Sequence, residues 1–131
     1  MNARNQMEQL ELLTLILDSW NKSFVFADTD HIIRYMNAQA RQHYAKWGDV
    51  LGKSIFDCHN ANSCEMIRDC FARLQNGEEE VLFTDNQKHR VYMRGVRDTK
   101  GKLIGYYERY EPPLIQQNAG KTDAEVSYKS K

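Results

Sequence analysis

Gly52-Lys-Ser-Ile-Phe-Asp-Cys-His-Asn60 divides this chain into two unlike halves. On its N-terminal side, Phe24-Val-Phe-Ala-Asp-Thr-Asp-His-Ile-Ile-Arg-Tyr-Met-Asn37 holds two short β-rich runs, residues 23–28 and 31–36. Asp28-Thr-Asp30 supplies turn chemistry between them, because short Asp and Thr side chains bond to local backbone. The pair is predicted as a hairpin. Asn37 then stands where a helix N-cap belongs, ahead of residues 38–45. Gly48 ends that helix, and Gly52 opens a short turn-helix through Asp57.

On the C-terminal side, Asn62 or Ser63 caps a helix running to about residue 75. Met66, Ile67, Cys70, Phe71 and Leu74 make its apolar face. Asn76-Gly77 stops it, since the left-handed position after a helix favours Gly or Asn. Three β patterns follow, residues 81–84, 89–97 and 102–110, joined by turns at 85–88 and 98–101. Pro112-Pro113 ends the last. Strand-strand-helices-strand-strand-strand is an α+β order with an antiparallel sheet.

Residues 4–20 are predicted as an N-terminal amphipathic helix. Met7, Leu10, Leu13 and Leu17 recur at three- and four-residue steps, and Leu12 and Ile16 widen the stripe. Such a face either packs on its own domain or joins two chains through Leu10, Leu13 and Leu17. The expected division is therefore a helix over 1–21, a domain over 22–111 and a polar, disordered tail over 112–131.

At 131 residues the chain suits one domain that folds without staples. Lysine plus arginine equals aspartate plus glutamate at 18 each, so no electrostatic case exists for nucleic acid or an anionic membrane. No apolar run approaches the ~20 residues that cross a bilayer, and the N-terminus lacks a signal-peptide core. Three cysteines, an odd number, argue against a disulfide framework. The expectation is a cytoplasmic protein, and Met1 with the polar tail suits a stand-alone chain.

Together with Val91-Tyr-Met-Arg-Gly-Val-Arg-Asp98 and Gly101-Lys-Leu-Ile-Gly-Tyr-Tyr-Glu108, these segments resemble a PAS domain over roughly residues 12–111. Asp28 and Asn37 bracketing the hairpin, and Arg97-Asp-Thr-Lys-Gly101 linking the last strands, are the most specific pieces. Cys58-His59, with Ser63 and the Phe71/Gly77 spacing, resembles a PAS subgroup attached to hemerythrin-like domains. The resemblance implies a five-stranded antiparallel sheet with short helices over one face. It also implies a sensory module that binds a small molecule or cofactor and relays the signal through dimer or partner contacts.

Cys58, Cys64 and Cys70 recur every six residues, a step that turns each by about 120° on a helix and separates them as metal ligands. In the PAS fold His59 precedes the long helix near the ligand cavity, and an imidazole there is a candidate axial ligand to haem iron, with Cys58 as a thiolate alternative. Haem-binding relatives place that histidine within the long helix, where residues 63–74 hold none. The bland alternative has His59 capping a helix or bonding loop backbone. A cysteine motif for covalent flavin photochemistry is absent, which leaves only noncovalent flavin.

Met66, Tyr92 and Arg94 complete the candidate cavity set, with Arg94 able to hold an acidic ligand. The plainer reading of Tyr92 and Arg94 is a half-buried strand with cross-strand pairs. Gly95 and Gly105 within strands mark a bulge or a close approach by another group. His31, His43 and His89 are expected at the surface. No nucleophile elbow, phosphate loop or dinucleotide fingerprint is present, so catalysis is not expected. The rival to a ligand sensor is a ligand-free interaction module that dimerises through residues 4–20.

Overall fold

Asn2 caps the first helix, α1 (Ala3–Ser19), its side-chain oxygen accepting from the Asn5 N–H. The structure, a computed structural model, describes residues 2–113. The tail expected at 112–131 therefore lies almost wholly outside the described residues. α1 has the predicted bounds to within a residue, but it buries none of its side chains. Leu10 is 62% exposed and Leu13 47%, while Leu17 and Asp18 alone are half-buried. Only its last turn meets the domain, where Leu17 and Asp18 bond to Asn37 and Ala38.

The hairpin follows as β1 (Val25–Asp28) and β2 (Ile33–Met36), and the C-terminal run gives β3 (Glu80–Asp85), β4 (Arg90–Arg97) and β5 (Leu103–Glu111). They form one antiparallel sheet in the order β2-β1-β5-β4-β3. Because the first strand pairs with the last, the central pair β1–β5 joins the two halves of the chain. Everything between β2 and β3 must then cross one face of the sheet. That segment is α2 (Ala38–His43), two short 3-10 turns at Ala45–Trp47 and Ile55–Cys58, and α3 (Ala61–Gln75).

α3 starts two residues earlier than predicted, because Asn60 takes the cap and accepts from the Ser63 N–H at 2.8 Å. Its buried face is Cys64, Ile67, Cys70, Phe71 and Leu74. Of these, Ile67, Cys70, Phe71 and Leu74 join Ala27, Ile33, Met36, Val81, Met93 and Tyr106 of the sheet in one core cluster. Each large side chain so buried contributes roughly 1.5–3 kcal/mol. Gly105 is needed because Phe26 and the Ala27 carbonyl occupy the place of a β-carbon. No helix among the described residues is long and apolar enough to cross a membrane.

Candidate functional site

The turn between β1 and β2 aims a histidine into the core. Asp28 Oδ1 accepts from the N–H groups of Asp30 and Ile32, and the Asp28 carbonyl accepts from His31 N–H at 2.9 Å. Closing so tight a turn needs a left-handed residue, and His31 supplies it with φ 65°. Its own carbonyl is held by Ile55 N–H at 2.8 Å, which pins the turn to the helical layer. The ring is consequently half-buried rather than fully at the surface, where the sequence suggested it. It packs 4.7 Å from Phe56 and 4.6 Å from Phe71, centroid to centroid, and its Nδ1 lies 2.8 Å from Tyr106 Oη.

Burial, reinforced by the Arg68 guanidinium, holds the His31 imidazole below its usual pKa, against the pull of Asp28 and Asp30. The neutral ring and the Tyr106 phenol then satisfy each other inside an apolar layer. Tyr44 adds a second buried phenol and Tyr110 a half-buried one, which donates to Glu108 at 3.0 Å. Burial first, and the Glu108 charge second, push all three phenols up. At neutral pH they are donors. Tyr106, Ile33, Ile67, Leu74 and Met93 are the largest side chains fully buried between sheet and helices.

Cys58 is buried, donates to the Ile55 carbonyl at 3.2 Å, and has its thiol pushed up by burial. His59 Nδ1 lies 2.8 Å from that same carbonyl and 3.5 Å from Cys58 Sγ. The imidazole thus bonds loop backbone, and it lines a shallow groove of about 400 Å³ with Trp47, Asp57, Asn60 and Ser63. This setting does not fit a haem, which needs two apolar walls around its ring, whereas Trp47 alone offers one. Among the described residues no three His, Cys, Asp or Glu side chains are placed to hold a metal ion.

Met66 is half-buried on the flank of α3, 3.8 Å from Asn62 Nδ2 and outside the core. Tyr92 and Arg94 require a correction. Alternation on β4 buries Val91 and Met93, so the two candidate residues face away from the helices. There Arg109 lies 4.6 Å over the Tyr92 ring and grips both carboxylate oxygens of Glu80, at 3.0 and 2.9 Å. Arg94 sits near Glu79 and Glu80, at 3.9 and 4.0 Å. The cross-strand reading of this face is the one the structure shows.

A second functional feature is the joint beneath α1. Asn37, fully buried, caps α2 through Ala40 N–H and also accepts from Phe24 N–H. Its amide donates to the carbonyls of Leu17 and Lys22 at 2.9 Å each. Asp18 accepts from Ala38 N–H at 2.8 Å and lies 3.5 Å from Arg41. One side chain therefore ties the end of α1 to β1 and to α2. The Asp28–Asn37 spacing signalled the hairpin in the sequence. Nothing there signalled the bond back to α1.

A PAS-domain family model matches residues 13–111. The chain belongs to the PAS domain family. No curated protein matches it. Solved structures do. The C-terminal domain of a Streptococcus mutans protein superposes with a TM-score of 0.64 at 22% identity, covering 82% of this chain and 86% of that one. The PAS domain of Bordetella pertussis BvgS gives 0.59 at 20% identity, with 94% of each chain covered. A sensory box sensor histidine kinase from Vibrio cholerae gives 0.56 at 13%, covering 85% and 94%. At these identities the likeness shows the fold. Within this PAS domain the His31–Tyr106 pair sits between sheet and helices, and Asn37 and Asp18 tie α1 to the hairpin and to α2.

Proposed function

We propose that this PAS domain is a signal-relay module that works as a homodimer through α1. The observation that supports it is the apolar stripe of α1, exposed along its length while its last turn is locked to the sheet by Asn37. Leu10, Leu13 and Leu17 follow the three-then-four spacing of a helix–helix seam, and a second copy offers the same spacing in return. A shift of β1 would reach that seam through the buried Asn37 amide, which bonds Phe24 and Leu17 together. Similarity to a sensor histidine kinase supports a place in signal transduction.

Sedimentation equilibrium tests the pairing. The wild type should dimerise in the micromolar range, and a Leu10→Gln/Leu13→Gln variant should be monomeric with unchanged circular dichroism. A wild type that stays monomeric at the highest soluble concentration sinks the reading.

The His31–Tyr106 pair favours a second reading, in which a small molecule enters the interior and takes over that hydrogen bond. Polar groups in an apolar layer are the usual means of fixing a ligand's orientation. A ligand-bound crystal structure with His31 and Tyr106 still paired and untouched would remove it.

A further inference from the structure

At the end of the sheet a cleft of about 490 Å³ opens where four segments meet. Lys22 lines it from the link between α1 and β1, and His43 from the last turn of α2. Lys88 and His89 come from the turn between β3 and β4, and Tyr110 with Glu111 from the end of β5. Four basic side chains thus converge from three places distant in sequence. Among the described residues neither lysine has an ion-pair partner, whereas six arginines do. The carboxylate of Glu111 is already engaged by Arg109.

We propose that this cleft binds a small, multiply charged anion, of the polycarboxylate or phosphorylated-metabolite class. Its volume is that of a small-molecule site. Ammonium and imidazolium groups form charge-assisted hydrogen bonds to carboxylate and phosphate oxygens, stronger than neutral ones. Among the described residues the one carboxylate lining the cleft is that of Glu111, which Arg109 already holds. The site also touches the joint under α1, because the Lys22 carbonyl accepts from the Asn37 amide at 2.9 Å. An anion drawing Lys22 into the cleft would pull on that bond. The proposal does not rest on pairing through α1.

Histidine is the side chain that changes charge between about pH 5 and 8. The groups that share the cleft with His43 and His89 are Lys22, Lys88, Tyr110 and Glu111. A bound anion favours the charged form of both imidazoles, so affinity rises as the pH falls.

The test is calorimetric titration of the full chain with citrate and, separately, pyrophosphate, at about pH 6 and about pH 8 and constant ionic strength. Saturable one-to-one binding of at least one probe is expected, roughly tenfold tighter at the lower pH for two imidazoles gaining charge. Citrate alone would identify a polycarboxylate site, and pyrophosphate alone a phosphate site. A Lys22→Ala/Lys88→Ala variant should lose binding at least about tenfold, and His43→Gln/His89→Gln should flatten the pH dependence. Absence of heat with both probes, or binding unchanged in the lysine variant, overturns the site. Both variants are surface changes whose folding is checked by the urea midpoint.

Discussion

The side-chain amide of Asn37 holds the main-chain oxygen of Leu17 at 2.9 Å, so the last turn of α1 hangs on a residue that is itself fully buried. The same side chain serves Phe24, Ala40 and Lys22. Removing it strands four main-chain groups. Asn37→Ala should cost about 2–4 kcal/mol in urea unfolding, more than a lone cap at about 1 kcal/mol. Hydrogen exchange in the last turn of α1 should accelerate beyond the global loss. Equal acceleration everywhere would mean that Asn37 is only a cap.

His31 should make stability depend on pH near neutrality. Its folded pKa lies below the unfolded value, so the unfolded chain binds the proton more readily and unfolding takes one up. The contribution is complete above the unfolded value of about 6.5 and is lost as the pH falls through the folded one. Carboxylates held down by arginines, Glu78 by Arg73 and Glu80 by Arg109, act only at lower pH. Unfolding free energy should therefore fall between about pH 7.5 and pH 5.5 in the wild type and stay flatter in His31→Asn. Asparagine keeps the left-handed turn without the titrating ring. Parallel profiles for the two proteins would exclude His31 as the source.

The hairpin, the helix order and the three-strand return were legible because each rests on local rules: Asx turns, caps, alternation and glycine stops. What failed is what local rules leave open. Alternation assigns Tyr92 and Met93 to opposite faces, but which face meets the helices depends on long-range pairing with β5. His31 carried a usable signal, since Asp28-Thr-Asp-His31 is a tight turn without glycine and the positive φ had to fall on some residue. Polarity argued for the surface, and the ring instead followed its backbone inward. The basic cleft had no signal at all, because Lys22, His43 and Lys88 lie in segments that meet only after folding.

The cysteines should behave as core residues. Burial raises the Cys58 and Cys70 thiols, and Cys64 is buried as well. A thiolate is the reacting species, so a high pKa and lack of access act together. An aromatic disulfide reagent near pH 7.5 should label none of the three at the rate of a free thiol, about pKa 8.5. All three should react at once in denaturant. Rapid native labelling at Cys58 would instead show that the loop carrying His59 opens.

Gly105 and Gly95 should respond differently to the same substitution. A β-carbon at Gly105 collides with the Ala27 carbonyl and the Phe26 ring on the paired strand. Backbone there cannot yield without parting β1 from β5, the pair that joins the two halves of the sheet. At Gly95 the nearest atom is Leu103 Cδ1 at 3.1 Å, the end of a flexible side chain. Gly105→Ala should cost about 3 kcal/mol or more, whereas Gly95→Ala should stay within about 1 kcal/mol. Urea unfolding of the two variants gives the comparison, and equal costs would mean that β1 can slide on β5 to make room.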